Sequence, residues 1–202
     1  MTVSDRSFVL LNAIMFQLAW WTLVLWGNSA LWFGVSLLVV HFLLSPQRRA
    51  DVKLLLGVTL MGAAVDFCLI WLDVLRFTDL PWWLLALWMH FSLTFNASLQ
   101  FLQRWPLWSH MLLGAIFGSG SYLAGATLGA VILPLGAGFS VIALALCWAL
   151  LLPAGVRIAA LSRYDVHLDG ADGRYDFHQI QANSSQYKPQ HKHRQQDGAG
   201  QS

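Results

Sequence analysis

Residues Leu54–Leu72 read LLLGVTLMGAAVDFCLIWL, and Asp66 is the single charge among them. At 1.5 Å per residue a helix of this length reaches about 28 Å, close to the roughly 30 Å of hydrocarbon in a bilayer. Five further stretches pass the same test. Phe8–Trp26 and Ala30–Ser45 precede it, the second being the shortest of the set and closed by Pro46 and Arg48-Arg49. Trp82–Gln103 follows Pro81, a residue suited to a helix start. Leu107–Ala126 and Phe139–Val156 come last, separated by Thr127–Gly138, whose glycines and Pro134 mark a turn or a partly re-entrant piece. The expected fold is therefore all-α: a polytopic membrane bundle of about six transmembrane helices.

Composition agrees. The 202 residues are 57% hydrophobic and 11% charged, against about 25% charged in soluble domains. Residues 1–161 hold 12 of the 22 charges, and residues 162–202 hold the other 10. The second segment has few aliphatic residues and no Trp, so it is expected to be a disordered cytoplasmic tail following a bundle of residues 1–161. Arg6, Arg48, Arg49, Lys53, Arg104, Arg157 and Arg163 fall on one side of the expected membrane, and Arg76 alone on the other. Because Lys and Arg are retained on the cytoplasmic side, both termini are expected there, as an even number of spans requires. Trp26, Trp32, Trp71, Trp82 and Trp83 fall at outer ends and Trp105 and Trp108 at an inner end, the usual interfacial positions. Trp20, Trp21, Trp88 and Trp148 lie deeper and read as packing residues. The first helix is too long, and lacks the small-residue cleavage site, to be a removable signal.

An acid inside a span is costly unless it is paired, protonated or hydrated, which makes Asp66 the first candidate for a functional site. Counting rise from the outer helix ends puts His90 and Tyr122 near its depth, an acid, an imidazole and a phenol suited to proton transfer or polar recognition. The competing reading makes Asp66 an interhelical hydrogen-bond acceptor with no further role. Gly114, Gly118, Ser121 and Gly125 recur on one face of the fifth segment and predict a close helix neighbour. Asn12 and Gln17 point in different directions around the first helix, and each is expected to bond to a neighbouring helix. Asn96 and Ser98 are expected to do the same. His41, near an inner end, is expected to reach towards water.

Cys68 and Cys147 have no partner at metal or disulfide spacing, no cofactor motif is present, and a net charge of +2 without a basic stripe argues against nucleic acid. Asp165, His167, Asp169 and Asp176 imitate a calcium loop poorly, and His191 and His193 are flanked by positive charge, so no metal is expected.

Four stretches together resemble domain-of-unknown-function family 2878. They are Asn12–Trp20, Gly62–Asp66, Pro81–Leu84 with Trp88 and Ser98-Leu99, and Leu113–Gly118 with Ser121-Tyr122, Ala124-Gly125 and Leu128–Ala130. The resemblance implies a bacterial inner membrane, a multi-helix bundle and an association with lipid-modifying enzymes, and it carries no established activity. It does not include His90, and Cys147 stands before Trp148 where an acidic residue is expected. The expectation is an integral inner-membrane protein of unknown molecular activity, an accessory or scaffold in envelope lipid metabolism and not an enzyme. Its surroundings would be the lipid bilayer, with a homodimer or another membrane protein as partner. The alternatives are a small transporter or lipid carrier with a proton-coupled Asp66, and an intramembrane lipid-modifying enzyme.

Overall fold

A computed structural model describes the backbone of residues 5–186 and the side chains of residues 6–163. Helix α1 (Asp5–Trp26) ends in a 3-10 turn, Gly27–Ala30, and the chain reverses into α2 (Leu31–Leu44). Gly27 makes the reversal with φ +57°, a conformation that costs a glycine little. α3 (Arg48–Trp71) then returns, and a short loop leads to α4 (Trp82–Thr94). α5 (Leu107–Leu113), a π turn (Gly114–Gly118) and α6 (Ser119–Thr127) form one continuous helical rod, followed by α7 (Ala137–Gln186).

Each of the six expected segments is helical over most of its length, and no strand occurs among the described residues. Three stretches are long and apolar enough to cross a membrane: Arg6–Leu44, Arg48–Trp71 and Ala137–Arg163. The first of these contains the α1–α2 hairpin. Large side chains such as Leu60, Phe67, Leu146 and Leu150 are exposed on the outer faces, as befits helices surrounded by lipid.

The fourth segment differs from expectation, since α4 stops at Thr94, nine residues short of Gln103. The hydroxyls of Ser92 and Thr94 bond back to Met89 and Phe91 carbonyls, and Asn96 and Ser98 are engaged by other helices. Local and tertiary polar bonds thus compete with the helix ladder. A 3-10 helix, Gln100–Arg104, completes the descent. The Thr127–Gly138 gap is a turn: Arg76 and Ile132 exchange backbone hydrogen bonds at 3.0 and 2.8 Å, tying it to the α3–α4 loop.

Helices consecutive along the chain, with the α5–α6 rod counted as one, run antiparallel. Asn12 of α1 meets His41 of α2, Asp51 of α3 meets Asn96 after α4, and Gly118 of the π turn meets Trp148 of α7. The ends bearing Arg6, Arg48, Arg104 and Arg163 therefore share one side of the bundle, hereafter the arginine end. Trp26, Trp71 and Trp82 share the other, the tryptophan end. The chain divides into two compact units, Met1–Val166 and His167–Ser202, and everything below lies in the first. Helical backbone continues past Ser162 to Gln186; residues 187–202, with the His191–His193 motif, lie outside the described residues, as do the side chains of the Asp165–Asp176 motif.

Candidate functional site

Two buried polar clusters and one cavity organise the bundle. In the first cluster Asp66 projects from α3 and is 5% exposed. Its Oδ2 accepts the Trp88 Nε1–H at 2.6 Å and its Oδ1 accepts the Tyr122 hydroxyl at 2.5 Å. Each carboxyl oxygen therefore has a donor from a different helix. Sequence depth counting brings Asp66 and Tyr122 together correctly. It does not bring in His90, whose Nε2–H donates to the Gly34 carbonyl of α2 at 3.0 Å. Residues 88 and 90 are two apart on α4, about 200° around the axis, so only one of them can face α3 from this position.

Trp88 occupies a notch made by an absent side chain. A Cβ on Gly62, one turn before Asp66, would lie 2.2–2.4 Å from three atoms of the indole. On its other face Trp88 stacks against Trp148, with ring centroids 5.1 Å apart and planes 10° from parallel. Trp148 in turn fills a second notch, where a Cβ on Gly118 would approach its ring to 2.1 Å and one on Gly114 would meet its carbonyl oxygen at 2.2 Å. The expected close neighbour of the small-residue face is thus α7 for two of its four members. Ser121 turns instead towards α1, accepting the Trp20 Nε1–H at 2.9 Å, and Gly125 makes only ordinary contact, 3.6 Å, with loop residue Val131.

Beside this stack runs a cavity of about 710 Å³ between α1, α4, the π turn with α6, and α7. Its floor is buried Trp88, Tyr122 and Trp148, while Trp21, Phe101 and Phe117 on its rim are 47%, 48% and 70% exposed. It is therefore a lateral groove, open through the flank of the bundle where lipid would lie. Asp66 does not line it; the carboxyl sits behind Trp88 and Tyr122 and holds the rings that do. Gln17 lines it, is exposed, and makes no hydrogen bond among the described residues, contrary to the expected interhelical bond.

The second cluster lies at the arginine end. Asp51 is 2% exposed; its Oδ2 accepts from Ser45 Oγ at 2.5 Å and from His41 Nε2–H at 3.2 Å, and its Oδ1 from Asn96 Nδ2 at 2.9 Å. Asn96 Oδ1 accepts Arg163 Nε at 2.9 Å. Asn12 approaches His41 Nδ1 with its amide at 3.4 Å and accepts from Ser98 Oγ at 2.7 Å. This network joins α1, α2, α3, the end of α4 and α7. His41, expected to reach towards water, is instead 1% exposed and held inward by Asp51, which compensates its burial. Asp51 escaped sequence reasoning because it stands among Arg48, Arg49 and Lys53. The available signal was its sign, an acid in a basic loop. Among the described residues no three His, Cys, Asp or Glu side chains converge as a metal site would require.

Apolar outer faces, buried polar ties between helices and a groove opening sideways define a polytopic, all-helical membrane protein. The family model described as "Protein of unknown function (DUF2878)" matches residues 9–154, most of the chain, and the protein belongs to that family. Among curated proteins and among solved structures nothing matches it.

Proposed function

We propose that this protein is a lipid-binding accessory protein of the bacterial inner membrane, with both termini cytoplasmic, that takes one apolar lipid chain into its lateral groove and serves envelope lipid metabolism in that way. The observation that carries this reading is the groove itself. Ligand sites span about 300–1,000 Å³ and are mostly apolar, which 710 Å³ of aromatic and aliphatic wall satisfies. Its setting selects the occupant. The lining runs from Leu113 to Ala124 along the α5–α6 rod, about 16 Å of rise, and the groove is open along the flank of the bundle. The apolar groups available at that flank are the acyl chains of the bilayer.

In this reading Asp66 is a positioning residue. Both its oxygens are taken by donors and it stands outside the groove, an arrangement that supports ring placement over proton or cation transport. Detergent-purified protein titrated with cis-parinaric acid tests the proposal, because the polyene accepts energy from tryptophan. Saturable transfer is expected, displaced by octadecanoic acid and lost in Ala124→Phe, which fills the groove from its wall. Transfer that does not saturate, or that persists at full strength in an Ala124→Phe protein of normal thermal stability, would overturn it.

A further inference from the structure

Two hydrogen-bond donors lining the groove have no acceptor among the described residues. Gln17 on α1 makes no hydrogen bond among the described residues. Ser121 on α6 accepts from Trp20, and its own hydroxyl proton is given to no acceptor. Ser36, Ser92, Thr94 and Ser119 donate to carbonyls of their own helices, and the buried Thr59 Oγ1 and Gln103 Nε2, which have no partner among the described residues, do not line the groove. Both donors line the same groove, on either side of Trp20. Gln17 precedes Trp20 by three residues, one helical turn, and Trp20 reaches Ser121 directly. In a surrounding without water, donors left open in this way call for an acceptor supplied by the ligand.

Their depth identifies where on the ligand that acceptor must be. Gln17 lies nine residues from Trp26 and eleven from Arg6, about 13 and 16 Å of rise, close to the middle of the span. The ester groups of an ordinary bilayer lipid lie at the interface, about 15 Å from the midplane, and do not reach it. We infer that the groove selects a lipid whose apolar chain carries an uncharged oxygen acceptor, a ketone or ether, near its middle, held by Gln17 and Ser121. This rests on the lipid-binding reading above and narrows it to a class of chain.

The test is displacement of cis-parinaric acid by three octadecanoic acids: unsubstituted, bearing a ketone at mid-chain, and bearing one near the carboxyl end. The mid-chain ketone should displace the probe at about tenfold lower concentration than either of the others, the gain expected of two modest hydrogen bonds. Gln17→Leu and Ser121→Ala should each reduce that preference, read as the ratio of the mid-chain ketone's displacement to that of the unsubstituted acid in the same variant. If the probe binds saturably but the three acids are equivalent, or the preference survives both substitutions, the inference falls and the lipid-binding reading stands. If the probe does not bind saturably, both fall.

Discussion

Replacing Asp66 offers the sharpest test of how the groove is held. In Asp66→Leu the Trp88 Nε1–H and the Tyr122 hydroxyl, both buried, lose their acceptor. Each unsatisfied donor costs about 1–3 kcal/mol, so the pair should cost about 2–6 kcal/mol before any gain from the added apolar surface. Asp66→Asn is milder. Its carbonyl still accepts from Trp88, and its amide can donate to the Tyr122 oxygen, leaving one hydroxyl proton to be rehoused, about 1–3 kcal/mol. Tyr122→Phe removes donor and bond together and should cost about 1 kcal/mol. Thermal unfolding of detergent-purified variants, followed by tryptophan emission, should rank them wild type, Tyr122→Phe, Asp66→Asn, Asp66→Leu, with shifts of about 2–4 °C per kcal/mol. The double variant Asp66→Leu/Tyr122→Phe should be less destabilised than the sum of its parts, because one orphaned donor has been removed. An Asp66→Leu protein that unfolds within a degree of wild type would refute the reasoning, since the two bonds would then contribute nothing.

Three other outcomes follow from the geometry. Gly62→Ala and Gly118→Ala should each cost about 1–3 kcal/mol by forcing a trapped indole to move, whereas Gly120→Ala, with open space around it, should leave the unfolding temperature unchanged. Asp51→Leu strands His41, Ser45 and Asn96 together and should cost about 3–5 kcal/mol, read as lost membrane abundance, while Asp73→Asn in the exposed pair with Arg76 should not alter it. Reporter fusions after Ser162 and at Asp79 should place the first in the cytoplasm and the second outside, and the opposite result would overturn the charge-based orientation.

Much of the fold was legible because burial in lipid is written along the axis: long uncharged runs, arginines at one set of ends and tryptophans at the other. Depth along a helix is likewise legible, which is why Asp66 and Tyr122 could be paired. Direction around the axis was not. His90 shares their layer and faces α2, Gln17 faces the groove, and His41 turns inward, because each depends on the order in which helices surround one another. The early end of α4 was hidden for a related reason. Asn96 and Ser98 leave the helix for partners 45 and 86 residues away. The groove itself had no sequence signature, since Phe16, Leu84 and Phe117 look the same whether they face a neighbour, a ligand or lipid.

The network at the arginine end also has a history written into its order of synthesis. The α1–α2 hairpin emerges first and can join Asn12 to His41 at once, yet His41 then waits for Asp51, Asn12 for Ser98, and Asn96 for Arg163 of the last helix. Before α7 is in place, the bonds among Asn12, His41, Ser45, Asp51, Asn96 and Ser98 can form, and only the acceptors of Arg163 lack their donor. Arg163, on the last helix, is thus the final donor to reach the network, and the Asn96 Oδ1 and the Phe95 carbonyl stay open until it arrives.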